Sequence, residues 1–238
     1  MRPLTTTLLV VVLGCSLLGG CSSEDPTVVA LLASDGSREL EPRVDVDAFE
    51  ARVEATCEEC AVRVYDAEGD AATQADQAAE ALRDSADVIV LDPVDVEEAE
   101  ALVGGGEDEV PVVAHTTLVP GADWFVGLAE PLASSTGGPP ADSDLEAARQ
   151  VVAGQRRSML HVPATAMSEQ AADVAVGVLA DEEPDGAEHF EGVPSWLHTA
   201  TEVRLAGLTD VLVREGAFTL DELCDGSTAR RCEQLGFV

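Results

Sequence analysis

Four histidines (His115, His161, His189 and His198) and six cysteines are the side chains of this 238-residue sequence best suited to metal or acid/base chemistry. No two histidines stand at HxH or HxxxH spacing, so none are paired on one face of a strand or helix as metal ligands usually are. His189 sits near Asp185, Glu188 and Glu191, the pattern of a solvated loop. No GxSxG elbow, GxGxxG turn or phosphate loop occurs, and Gly104-Gly105-Gly106 follows a helical stretch, where it reads as a helix stop. With 46 acidic residues, adjacent carboxylates are expected by chance and mark no site on their own. Trp124 and Trp196 are able to stack on a sugar ring, although a buried core role is commoner. These residues predict no catalytic centre, no metal and no cofactor.

The cysteines point instead to export and cross-linking. Arg2 precedes an apolar run, residues 8–18, that is too short to span a bilayer and fits a signal segment. It ends at Leu18-Gly19-Gly20-Cys21, which resembles the lipobox of bacterial lipoproteins, with Cys21 as the lipidated residue. The expectation is a signal peptide over 1–20 and a tether over 21–26, holding the chain to the outer face of the bacterial cell membrane. Setting aside Cys15 and Cys21, four thiols remain, which allow three pairings. Sequence proximity favours Cys57 with Cys60 and Cys224 with Cys232 as structural disulfides. A redox pair or a zinc site is the alternative. Glu58 and Glu59 oppose the thiolate that both would need, and the spacings do not match a zinc ribbon.

Thirteen bases against 46 acids leave a formal net charge of −33, which excludes a nucleic-acid binder. The apolar content of 46% is nevertheless that of a globular chain, not of a disordered acidic tail. Short β-branched runs alternate with Ala-rich helical stretches, the signature of a parallel α/β sheet. Strands are expected over 28–33, 61–65, 88–91, 110–114, 124–128, 158–162 and 194–198. Residues 88–91 are apolar on both faces, as in a strand covered by helices on both sides. Helices are expected around Phe49 and Val53, over 75–82, after Asp95, and over 144–153, 168–180 and 201–215. An acidic loop is expected over 181–188, and the run 131–140 can hold neither a helix nor a central strand.

The order of these pieces resembles the xylose-type sugar-binding proteins of ABC importers, which are type I periplasmic binding proteins. The resemblance rests on Val29-Ala30-Leu31-Leu32, on Asp47 to Ala51 leading into Cys57-Glu-Glu-Cys60, and on Val88 to Asp95. It continues through Val110 to Ala114, Asp142 to Gly154, Gly192 to Ser195, and the ending Gly216 to Cys224 with Cys232 behind it. It implies two α/β lobes closing on a sugar, with an importer permease as partner and no enzymatic activity. The implied fold here is a single lobe with a central parallel sheet flanked by helices, and a vestigial second lobe. Its first lobe would span 27–130, with a linker over 131–141, a second-lobe remnant over 142–162, and a segment over 163–238 that returns to the first lobe.

Carried over one position at a time, the family's pocket is mostly absent. The Asp-Arg pair expected after the fourth strand falls on Thr116-Thr117, behind His115. The first-loop Arg falls on Leu40 or Glu41, so Arg38 or Arg43 serves only with a shift. The next Asp-Asn is Ala129-Glu130, and a late Lys falls on Val162 beside His161. Only Asp142 matches a sugar-contacting Asp. The resemblance thus implies Arg38, His115, Thr116, Thr117 and Asp142 as ligand-binding residues. The alternative expectation is a degenerate surface lipoprotein that binds no sugar and acts through a protein partner.

Overall fold

A computed structural model describes residues 26–34, 44–103, 110–130, 143–182, 186–214 and 216–237. The signal segment 1–20, Cys21, Arg38, the linker 131–141 and Asp142 lie outside the described residues. The fold is α/β, with a central, mostly parallel sheet flanked by helices. Seven strands build the sheet: β1 (Thr27–Ala33), β2 (Cys60–Asp66), β3 (Val88–Leu91), β4 (Val112–Thr116), β5 (Trp124–Leu128), β7 (Glu188–Phe190) and β8 (Val193–His198). Their order is β2-β1-β3-β4-β5-β8-β7, every neighbouring pair being parallel except the β7–β8 hairpin.

Strand alternation divides the core into two layers. Val28, Ala30, Leu32, Ile89, Leu91, Ala114 and Phe125 face α2 (Ala71–Arg83) and α3 (Val96–Glu100). Val29, Leu31, Val88, Val90, Val113 and Val126 face α1 (Val46–Thr56) and α5 (Ala164–Leu179). All four residues of β3 are buried, as their apolarity on both faces requires. Ala171, Ala172 and Ala175 let α5 lie close against the sheet, and the Arg52 guanidinium holds α5 to α1 through both Asp173 oxygens at 2.6 and 2.9 Å.

A second, smaller unit carries a third cluster of buried side chains. Its two-stranded antiparallel sheet pairs β6 (Ser158–His161) with β9 (Thr201–Arg204), and α4 (Asp144–Val152), α6 (Leu220–Leu223) and α7 (Ala229–Leu235) pack around it. Cys57 and Cys60 are joined, as are Cys224 and Cys232, with Cα atoms 5.4 and 5.7 Å apart. Cys57 caps the C-terminus of α1, the negative end of the helix dipole, where a thiolate is disfavoured.

Four expectations need correction. Residues 201–215 do not form one helix: Thr201–Arg204 is a strand, followed by a 3-10 turn at Leu205–Gly207 and a π-type turn at Thr209–Val213. Val203 is buried between exposed Glu202 and Arg204, a period of two that the open edge of β6 selects. The segment 163–238 does not return to the large sheet as a whole. Residues 164–198 do, whereas those from Thr201 onward build the small unit. The fourth strand runs two residues later than expected, because Pro111 has no N–H to enter the ladder. Glu188, the last residue of the expected acidic loop, opens β7, and Glu191 and Gly192, both at positive φ, make the two-residue turn to β8, while residues 183–185 of that loop lie outside the described residues.

Candidate functional site

In a parallel sheet, ligands collect outside the carboxyl ends of the strands, where successive connections leave in opposite directions. Here β1 is flanked by β2 on one side and β3 on the other, so that point lies between β1 and β3. Three polar residues meet there. Asp92, only 4% exposed, follows β3, and its carboxylate accepts from the Ser34 N–H at 3.3 Å and the Ser34 hydroxyl at 2.6 Å. The Thr116 hydroxyl donates to its other oxygen. Behind them the buried Gln74 amide of α2 donates to the Asp92 carbonyl at 2.8 Å and accepts from the Val94 N–H at 2.9 Å, fixing the turn. Asp95 then caps α3 through the Glu98 N–H.

Thr116 holds φ at +64°, a region that β-branched residues seldom enter. Backbone held there by its surroundings is concentrated at binding sites. Gly127, paired with Thr116 across β4 and β5, leaves room for the Phe125 ring. An added Cβ would meet that ring and stand 2.9 Å from the Thr116 carbonyl oxygen. Gly127→Ala is therefore expected to cost about 1–3 kcal/mol of stability. An unchanged urea midpoint would show that the Phe125 ring gives way freely.

At the N-termini of α1 and α5 lies an open hollow of about 420 Å³, lined by Val44, Asp45, Val46, Asp47 and Ala164. Asp45 joins the two helices: it caps α1 through the Ala48 N–H, accepts from the Thr165 hydroxyl at 2.7 Å, and donates its N–H to the Ser168 hydroxyl at 2.9 Å.

Of the residues expected to bind ligand, Thr116 stands at this edge and Thr117 is exposed just beyond it. His115 does not line the edge. It lies within β4, fully buried on the side of α5. Burial lowers its pKa to about 4; the Met167 backbone opposes this and His198 adds to it. His161 lies in the small unit, with Nδ1 2.8 Å from Asp144. Trp124 and Trp196 pack on each other, ring centroids 6.1 Å apart, within the layer beneath α5.

The residues that sequence reasoning passed over are Ser34, Gln74, Asp92 and Asp45. Asp92 was legible only as a strand stop before Pro93, though a carboxylate directly after a fully apolar strand was the available signal. Among the described residues no three His, Cys, Asp or Glu side chains are placed to hold a metal ion. No helix among them is long and apolar enough to cross a membrane.

The class this fold defines is that of the periplasmic-binding-protein-like α/β proteins, and solved structures bear the likeness out. One is an ABC transporter solute-binding protein from Clostridium phytofermentans with bound β-D-glucose, at a TM-score of 0.63 and 9% identity, covering 83% of this chain and 99% of that one. A carbohydrate transporter solute-binding protein from Chloroflexus aurantiacus in complex with D-glucose matches at 0.58 and 11%, covering 83% and 98%. One from Bacillus halodurans C-125 with bound myo-inositol matches at 0.57 and 11%, covering 83% and 100%. No family model and no curated protein matches the chain.

Proposed function

We propose that this chain is an extracytoplasmic solute-binding lipoprotein, held to the membrane through Cys21, that takes a neutral sugar or cyclitol and presents it to an ABC importer permease. The observation that carries this reading is the meeting of Ser34, Asp92 and Thr116 at the switch point of a parallel sheet. The glucose and inositol held by the similar structures support the ligand class. Thr116 and Thr117 stand at that edge. Arg38 belongs to the connection between β1 and α1, and Asp142 directly precedes Ser143, the cap of α4. These four are the proposed contacts, and the two-stranded unit is the proposed reduced second lobe. Binding, not catalysis, is the proposed role.

The test is thermal unfolding with D-glucose, myo-inositol, D-ribose, D-fructose and D-xylose in large excess. A sugar at a hundred times its dissociation constant is expected to add about 2.7 kcal/mol and raise the midpoint, its epimers leaving it unmoved. A midpoint that no sugar moves would overturn the reading. One observation favours a second reading, a surface lipoprotein acting through a protein partner: the Asp92 carboxylate already has three donors and needs no ligand to satisfy it.

A further inference from the structure

Among the described residues the chain crosses between the large sheet and the small unit twice. Val162-Pro163 leads from β6 into α5, and Thr199-Ala200 leads from β8 into β9. The elements that flank both crossings, α5 after the first and β8 before the second, carry the groups that act on one buried side chain, His115. The His115 ring fills the layer between β4 and the first turns of α5, with no exposed surface and the Met167 backbone against it. The Met167 backbone of α5 and the His198 ring are the polar groups that act on it. His198 is the last residue of β8, immediately before the second crossing.

The remaining charged groups on the packed elements are engaged or turned elsewhere. At the start of α1, Asp45 is bound to Thr165 and Ser168, and further along Arg52 is bound to Asp173 of α5. Asp92 after β3 is bound to Ser34 and Thr116. Asp47, Glu50 and Glu54 of α1 and Glu169 of α5 are not among the groups that act on His115, and β5 carries no charge. Among the described residues no carboxylate acts on the ring.

We propose that His115, with His198 beside it, is an acid-sensitive latch between the two units: protonation drives the ring out from beneath α5, and the first turns of α5 and the β6–β9 sheet loosen while β1 and β3 stay folded. An unpaired charge in an apolar layer is too costly to keep, and the nearest movable wall is α5, whose contact with the sheet is made largely by alanines. The sign follows from proton linkage. Burial lowers the ring's pKa to about 4, whereas a released ring titrates near its ordinary value of about 6.5. The released form therefore binds more protons, and falling pH favours it. Between pH 7.5 and 4.5 the release equilibrium shifts by roughly 70-fold.

The test is peptide-resolved hydrogen exchange on the full chain at pH 7.5 and 4.5, corrected for the intrinsic exchange rate. Protection of the N-terminal half of α5 and of β6 and β9 is expected to fall by roughly 70-fold, with β1 and β3 unchanged, and H115L is expected to abolish the difference. Should H115L fail to fold, the half-buried His198 offers a milder change. H198Q removes a like charge, and with it a second ring that burial holds below its ordinary pKa, so acid favours release less and the midpoint of loosening is expected to move to lower pH. Equal loss of protection in β1 and β3 would show global unfolding and overturn the latch. So would a native pH profile in a folded H115L or H198Q protein.

Discussion

Asp92→Ala is expected to lower the free energy of unfolding by about 3 kcal/mol at neutral pH and to remove any sugar-induced rise in the midpoint. Three donors lose their acceptor at once: the Ser34 N–H, the Ser34 hydroxyl and the Thr116 hydroxyl. Hydrogen bonds to a charged acceptor contribute about 1.5–3 kcal/mol each, but the carboxylate's own burial offsets part of their sum. Thr116 also loses the bond that holds it at φ +64°, a conformation costing about 1–2 kcal/mol when unsupported. Asp92→Asn keeps the shape and one acceptor oxygen, so about half that loss is expected. Urea denaturation of the three proteins measures this, and an Asp92→Ala loss under 1 kcal/mol would show that the network holds nothing. Thr116→Gly supplies the cross-check. In the Asp92→Ala background glycine relieves an unsupported strain and should recover stability, whereas in the native background it also breaks the bond to Asp92.

The large sheet was legible because its strands are apolar for a reason that sequence displays. Val88-Ile89-Val90-Leu91 buries both faces, so no register or partner has to be known to assign it. The cap at Asp95 and the Ala-rich stretch of α2 belong to the same local logic. Thr201–Arg204 was illegible because its state depends on a partner. Only the open edge of β6, more than forty residues earlier, makes a strand of four residues followed by Leu208 and Leu212 at helical spacing. The same dependence on a distant partner hid the return of the tail to the small unit.

The site was legible as a place and not as a set of residues. Thr116 and Thr117 could be named because the resemblance puts a ligand-binding pair directly after the fourth strand. His115 was named with them by adjacency, and strand alternation then turned its ring the other way, into the layer under α5. The grouping of Ser34, Asp92 and Thr116 joins residues 58 and 24 positions apart. No spacing rule links them; the parallel register of β1, β3 and β4 brings their ends together.

Replacing both Cys224 and Cys232 with alanine is expected to destabilise the small unit by about 2–5 kcal/mol while leaving the large sheet folded. The reason lies in what that unit has to stand on. A two-stranded sheet is marginal alone and must be held by what covers it. The cover comes from Ala148, Val151, Met159, Val203, Leu208, Leu212, Phe218 and Leu223, with both cysteines inside the same cluster. Other ties also lie within the unit. The Arg149 guanidinium donates to the Glu222 carbonyl at 2.6 and 3.2 Å, and Thr219 with Glu222 forms the capping box of α6. The Cys224–Cys232 bridge, at a separation of eight residues, joins α6 to α7 and so pins the tail across this core. Without it, urea unfolding should split into two steps, with the small unit going first, and exchange in β6 and β9 should rise at neutral pH. One cooperative transition at the native midpoint would show that the two units share a single core and that the bridge adds little.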